Sequence, residues 1–222
     1  MRQFFKKITH PFLKLGLKLY YYKPRKYNYD GIEILVHPDV FPPHLTLSTK
    51  ILLDFIKTLD LKEKTFLELG CGSGIISLLA SKKGASVIAS DINKTALEFL
   101  NQNSLKNQLS VTSLFSDLFD SFNHYNFDYI IINPPYYPKK PLSIKEKAWF
   151  CGEHFEYFEK LFQQLPYFLN SENKCYMILS EDCKIDIIKD IALKNRLNLK
   201  SIAQKIVIKE INFIFKIEKL ES

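Results

Sequence analysis

Phe66-Leu67-Glu68-Leu69-Gly70-Cys71-Gly72-Ser73-Gly74 is the stretch whose reading decides the fold of this chain. Phe66, Leu67 and Leu69 form a short apolar run of the kind that becomes a buried parallel strand. Three glycines at alternate positions follow. Ile75 to Lys83 then resumes at helical spacing, with Ile75, Ile76, Leu78 and Leu79 as an apolar flank. Strand, glycine turn and helix open a βαβ nucleotide-binding unit, in which missing Cβ atoms let the backbone approach a ligand. The third glycine arrives one residue earlier than in the dinucleotide pattern G-x-G-x-x-G.

Downstream, Ser86 to Asp91 reads as a second strand ending in an acid, 23 residues after Glu68. An acid there commonly takes the ribose hydroxyls of a bound nucleoside, and Asp91 is assigned that role; the alternative is a helix cap before Asn93-Lys94-Thr95. A helix over Lys94–Ser104 and a strand over Leu109–Phe115 follow. Phe127–Ile132 is the fourth strand, and it runs directly into Asn133-Pro134-Pro135-Tyr136. Helices over 144–150 and 153–169, a strand over Lys174–Leu179 and a helix over Ile185–Lys194 come next. Two last β-rich runs, Leu199–Ile208 and Ile211–Ile217, are too close in sequence for a parallel crossover and must pair antiparallel.

The tetrapeptide carries the chemistry. A planar nitrogen, in an amide or an exocyclic base amine, has its lone pair delocalised and is a poor nucleophile toward a methyl group. If the Asn133 side-chain oxygen and the Pro134 carbonyl accept its two N–H hydrogens, electron density returns to nitrogen and the lone pair is aimed. The Pro134-Pro135 pair holds those acceptors at little entropic cost, and Tyr136 stacks on the planar group. Pro135 and Tyr137 are expected to touch the acceptor. No metal is required, since a sulfonium leaving group departs neutral. The alternative, a turn without chemistry, is weakened by the strand before it and the glycine turn upstream.

Gly70, Gly72 and Gly74, preceded by Glu68, resemble the glycine motif of class I S-adenosylmethionine-dependent methyltransferases. The resemblance implies an α/β, Rossmann-like fold, with a mostly parallel seven-stranded sheet ending in a C-terminal antiparallel hairpin. It implies S-adenosylmethionine as cofactor, with Glu68 and the three glycines at its methionine part. Asp117 would accept from its adenine amino group, with Leu118 against the ring. Tyr137-Pro138, Ala148-Trp149 and Cys151-Gly152-Glu153 are similar to the pattern beyond the same tetrapeptide in release-factor glutamine methyltransferases and their small-domain relatives. That likeness covers roughly Val40 to the C-terminus. Two departures bear on the substrate: the N-terminal segment is shorter than in bacterial release-factor enzymes, and the glycine-rich segment after Ala-Trp is reduced to Cys151-Gly152-Glu153. The same tetrapeptide serves adenine N6 and guanine N2 methylation in related enzymes, so a protein glutamine and a base amine of RNA or DNA both stand as acceptors.

Charge divides the chain. Residues 1–26 hold eight of the 31 Lys and Arg and no acid, leaving 23 basic against 24 acidic residues in the remainder. Residues 1–45 therefore read as a basic, aromatic extension and 46–222 as the methyltransferase domain. The leader suits an anionic partner such as nucleic acid or the ribosome, or equally a solvated helix packed on the domain. Tyr20, Tyr21, Tyr22, Tyr27 and Tyr29 interleave with Lys23, Arg25 and Lys26, a pattern that stacks on single-stranded nucleic acid or forms a packing seam. The loop from Val40 to Thr49, with Thr46 or Ser48 as the next helix cap, is a candidate lid. The four cysteines lack metal or disulfide spacing, and no apolar run reaches the roughly 18 residues of a membrane span, so a cytoplasmic setting is expected. A non-catalytic RNA-binding module and a nicotinamide oxidoreductase are the rivals; the intact tetrapeptide opposes the first and the early third glycine the second.

Overall fold

The computed structural model describes residues 22–123, 125–207 and 210–220. The helix expected in the basic leader, with Tyr20 and Tyr21, lies outside them. A hairpin of β1 (Arg25–Tyr29) and β2 (Ile32–Val36) comes first, followed by α1 (Leu47–Thr58), β3 (Thr65–Leu69), α2 (Ile75–Lys82), β4 (Ser86–Asp91) and α3 (Lys94–Asn107). The second half holds β5 (Thr112–Phe115), β6 (Tyr129–Ile132), α4 (Glu156–Gln164), β7 (Lys174–Ser180), α5 (Ile185–Lys194), β8 (Leu197–Val207) and β9 (Glu210–Lys219).

The seven-stranded sheet has the order β5-β4-β3-β6-β7-β9-β8. Its first five strands run parallel, and β9 is antiparallel to both β7 and β8. The expected closing hairpin is present, with β9 inserted between β7 and β8. The chain builds outward from β3 to β5 and then returns to place β6 on the other side of β3. That reversal opens a crevice at the carboxyl ends of β3 and β6, where open α/β sheets take their ligands.

Period-two alternation in doubly buried strands divides the core between the two faces. Leu67, Leu69, Ile130, Ile132, Cys175 and Met177 face α4 and α5, whose Phe158, Leu161, Phe162, Ile188 and Ile191 cover them. Phe66, Tyr129, Ile131, Tyr176 and Ile178 face α1, α2 and α3. The β1–β2 hairpin joins this second face through Ile32, Ile34 and Val36, all buried, so it shares its core with the helices that follow residue 46.

This hairpin decides between the two readings of the aromatic and basic interleaving for residues 25–29. Tyr27 and Tyr29 lie against the second core face, and the Tyr29 hydroxyl donates to Asp54 Oδ1 at 2.5 Å. Lys26, on the opposite face of β1, pairs with Glu33 at 3.7 Å. For these residues the interleaving is strand alternation, a packing seam. Asp30-Gly31, with φ of 53° and 78°, makes the tight turn that the dipeptide favours.

Three element boundaries also differ. The fifth strand starts at Thr112 rather than Leu109, because α3 runs on to Asn107 and Gln108 ends it in the left-handed region at φ 55°. The stretch expected as helix 144–150 holds only a short 3-10 turn, Glu146–Ala148. Helix 153–169 shortens to Glu156–Gln164: Gly152 and Phe155 both take positive φ ahead of it, and Pro166, which lacks an N–H, sits in a 3-10 turn after it.

Gly74 is the tightest point of the glycine turn. Its φ is +79°, and a Cβ there would overlap Leu100 Cδ1 of α3. Gly70 shares the positive φ, yet a Cβ on it meets nothing within 4 Å. Gly74→Ala is therefore expected to destabilise the chain by about 2–4 kcal/mol, combining left-handed strain with overpacking. Gly70→Ala, with strain alone, should cost about 1–2 kcal/mol. Urea denaturation of the two variants checks the order; equal losses would remove Leu100 from the explanation.

Candidate active site

The crevice is a cleft of about 510 Å³, within the range of roughly 300–1,000 Å³ usual for small-molecule sites. Glu68, Gly70, Cys71 and Gly72 form its floor; Asp91 to Asn93 and Ser116 to Leu118 form one side, and Asn133 and Pro135 the other. Leu69 pairs with Ile132 in the sheet, which places the residues that follow them, Gly70 and Asn133, side by side. Of the expected cofactor residues, Glu68, Gly70, Gly72, Asp91, Asp117 and Leu118 line the cleft. Gly74 does not; it packs beneath against α3.

The glycine turn is fixed by its own N–H groups. Gly70 and Cys71 N–H donate to the Ser90 carbonyl at 2.8 and 2.9 Å, and Gly74 N–H to the Cys71 carbonyl at 2.9 Å. Gly72 N–H donates to Asp91 Oδ2 at 2.8 Å, while Asp91 Oδ1 accepts from Asn93 N–H at 2.8 Å. Asn93, rather than Asp91, caps α3 by accepting from Thr95 N–H. These bonds commit the N–H groups of Gly70, Cys71, Gly72 and Gly74 within the protein. The acidic side chains of Asp91, Asp117, Glu153 and Glu156 on the cleft walls disfavour a phosphate. The cleft suits a nucleoside-like ligand without phosphates, whose hydroxyls and amine find acceptors in Asp91 and Asp117 and whose rings meet Ile92, Leu118 and Tyr157.

Glu68 is buried under the N-terminus of α2, and its Oε2 accepts from both the N–H and the hydroxyl of Ser77. Gly74, the residue before α2, has no side chain to cap the helix, and Glu68 supplies the acceptor from below. Burial pushes its carboxyl up to about 8; the two Ser77 bonds oppose the rise and Asp91 adds to it. Burial likewise raises Asp91, against the N–H donors of Asn93, Gly72 and Ile92.

Asn133 is half-buried, and its Nδ2 donates to Thr49 Oγ1 at 3.4 Å; the Thr49 hydroxyl in turn bonds that of Thr46 at 3.0 Å. With Nδ2 committed to Thr49, the Asn133 oxygen is the atom left for an acceptor. Thr46 is the residue before α1, as expected, but its hydroxyl goes to Thr49 rather than to the helix backbone. Pro134 and Tyr136 are not part of the cleft wall. Tyr136 packs on the first core face with its ring 4.8 Å from that of Tyr137. Burial raises its hydroxyl, with Tyr137, Cys183 and Glu210 adding to the rise.

The expected lid segment does border the cleft, through Val40, Phe41, Pro43 and Thr49. Opposite it stands an excursion of the chain between Tyr137 and Phe150, closed at its neck by Tyr137 N–H to the Trp149 carbonyl at 3.2 Å and Cys151 N–H to the Tyr137 carbonyl at 3.0 Å. The two walls meet where the Phe41 and Trp149 rings lie 4.7 Å apart and Lys145 pairs with Asp39 at 3.0 Å. Thr49, Ser77 and Lys160 were not legible as site residues, since nothing at their sequence positions marks them.

The methyltransferase small domain model matches residues 31–150. A protein from Methanocaldococcus jannaschii named as a protein N5-glutamine methyltransferase is 39% identical over 111 residues, 49% of this chain and 53% of that protein. A release factor glutamine methyltransferase from Dictyoglomus turgidum is 33% identical over 169 residues, 68% of this chain and 59% of that protein. The chain thus matches little more than half the length of these curated relatives. The 16S rRNA N2 G1207 methyltransferase of T. thermophilus, solved with AdoMet and guanosine, superposes with a TM-score of 0.64 at 16% identity, over 90% of this chain and 50% of that one, a likeness of fold. Among the described residues, no helix is long and apolar enough to cross a membrane.

The Glu68 carboxyl sets a pH dependence. Its folded pKa of about 8 exceeds the unfolded 4.5, so folding takes up a proton between these values and stability from this group falls as pH rises through that window. Glu68→Gln keeps the acceptor for Ser77 and removes the titration. Its unfolding free energy, from urea denaturation at each pH, is expected to gain on that of the parent between pH 5 and 8, by no more than about 1.4 kcal/mol per pH unit, and to level off above. A constant difference across that range would show that Glu68 stays ionised throughout.

Proposed function

The chain belongs to the methyltransferase small domain family, and from that premise we propose that it is an S-adenosylmethionine-dependent N-methyltransferase whose acceptor is the side-chain amide of a protein glutamine. The observation that carries the reaction type is the placement of Asn133 beside Gly70 on one cleft, with its Nδ2 turned to Thr49. S-adenosylmethionine, when bound, supplies an electrophilic methyl group on a cationic sulfur that leaves neutral. Asp91 would hold its ribose hydroxyls, Asp117 and Leu118 its adenine, and Glu68, Gly70 and Gly72 its methionine part. Gly74 keeps the turn close to α3 so that this floor stays open.

On the acceptor side, the Asn133 oxygen and the Pro134 carbonyl would accept the two hydrogens of the amide nitrogen and aim its lone pair. The Thr46–Thr49 hydroxyl pair holds the Asn133 amide the right way round, so no reorganisation accompanies binding. Tyr136, Pro135 and Tyr137 would flank the planar amide from the side of β7 and β9. After transfer the nitrogen carries an extra proton of very low pKa, which water takes without a dedicated base.

Two features favour a protein glutamine: the names carried by the two relatives above and the negative charge of Asp182 and Glu210 near the Tyr137 hydroxyl, which disfavours a phosphodiester strand there. A base amine of RNA is the second reading. Lys139, Lys140, Lys145 and Lys147 on the excursion support it, two of them, Lys140 and Lys147, on the cleft wall.

Asn133→Ala is expected to lower kcat by about 10²–10³-fold, as loss of one preorganised transition-state contact does, with the Kd for S-adenosylhomocysteine changed less than threefold. An unchanged kcat removes Asn133 from the reaction. The acceptor class is read by transfer of radiolabel from S-adenosylmethionine into an extract lacking this protein, divided between protease and nuclease. Label lost to protease alone, followed by methylglutamine on exhaustive enzymatic digestion, is the expected result. Label lost to nuclease alone would overturn the glutamine assignment.

A further inference from the structure

The face of α4 that borders the cleft carries a clamp that nothing in the motif pattern marks. Lys160 Nζ pairs with Asp117 Oδ2 at 2.9 Å and with Asp120 Oδ2 at 2.6 Å. One turn further along α4, Gln164 Nε2 donates to Asp120 Oδ1 at 2.7 Å, and its Oε1 accepts from Phe119 N–H at 3.1 Å. Residues 160 and 164 thus grip the loop after β5 from one side. Within the loop, Ser116 holds it from the other: its hydroxyl donates to the Leu118 carbonyl at 2.7 Å and accepts from Ser121 N–H at 3.0 Å. Leu118 sits at φ +55°, a conformation a leucine keeps only where its surroundings impose it.

The division of labour at Asp117 is the telling feature. Oδ2 is taken by Lys160, and Oδ1 has no hydrogen-bond partner among the described residues, while both Asp117 and Lys160 line the cleft. We propose that Lys160 is a positioning residue for base recognition: by holding Oδ2 it fixes the plane of the Asp117 carboxylate and presents Oδ1 as a directed acceptor for the exocyclic amine of the bound nucleoside. This rests on the reading of the cleft as an S-adenosyl site. Lys160 itself is drawn two ways. Its partial burial opposes the charge, and Asp120 and Asp117 outweigh that and raise its pKa, so the ammonium persists through the physiological range.

A carboxylate with a fixed plane discriminates between bases, because it accepts from the amino group of adenine and repels the carbonyl oxygen that hypoxanthine carries at the same position. A carboxylate free to rotate turns away from that oxygen and loses both the attraction and the repulsion. Lys160 therefore controls selectivity more than gross affinity.

The test is calorimetric titration of the full chain with S-adenosylhomocysteine and with its hypoxanthine counterpart, S-inosylhomocysteine. The parent is expected to prefer the adenine form by at least about tenfold, the value of one charge-assisted hydrogen bond. Lys160→Met should reduce that preference by at least about fivefold, mainly through weaker binding of the adenine form, and Lys160→Arg should restore most of it. Loss of affinity for both ligands in equal proportion, or an unchanged ratio in Lys160→Met, would overturn the proposal and leave Lys160 a structural contact. A parent chain that binds neither ligand defeats the reading of the cleft itself, an outcome distinct from failure of the Lys160 assignment.

Discussion

A single carboxylate from the neighbouring strand holds the glycine turn in place. Asp91 Oδ2 accepts the Gly72 N–H, and the Ser90 carbonyl beside it takes Gly70 and Cys71. These bonds consume the N–H groups of Gly70, Cys71 and Gly72 and leave a floor rimmed by Asp91 and Asp117. The rest of the site inherits its shape from this commitment. Glu68 caps α2 from below, and Gly74 at the helix start packs too tightly on Leu100 to carry a side chain. A cleft walled by Asp91, Asp117, Glu153 and Glu156 suits hydroxyls, amines and a cationic group better than a phosphate.

The second constraint is topological. Reversal of strand order between β3 and β6 brings two motifs about sixty residues apart onto adjacent positions of one crevice. On the proposed reading neither works alone: methyl transfer needs the glycine turn and the Asn-Pro-Pro-Tyr turn within reach of one another. The lid segment and the excursion after Tyr137 enclose the space above. Phe41 against Trp149 and Lys145 against Asp39 join those walls.

Local signals are ambiguous where one pattern serves two purposes. Alternating tyrosines and basic residues at 25–29 look the same as a stacking platform and as a strand with one buried face; the Asp30-Gly31 turn distinguishes them, because it demands a hairpin. Residues 144–150 have helical composition, yet they leave and rejoin a bridge between Tyr137 and Phe150, and the span folds as a loop with one 3-10 turn. Gly152 and Phe155 in the left-handed region start α4 later than periodicity suggests, since positive φ is incompatible with the helix.

The sequence by itself determined the sheet class, the closing hairpin, the glycine turn and the two acids that follow β4 and β5, because each is written in residues adjacent along the chain and governed by local sterics. It also marked Asn133, since a strand feeding Asn-Pro-Pro-Tyr constrains the backbone within a few residues. The tertiary structure decided the rest: that Thr49 orients the Asn133 amide across 84 residues, that Ser77 answers Glu68, and that Lys160 grips Asp117 from α4. Those pairings depend on which helix faces lie over which strand ends. That is fixed by packing of the two core faces, and no spacing in the chain records it.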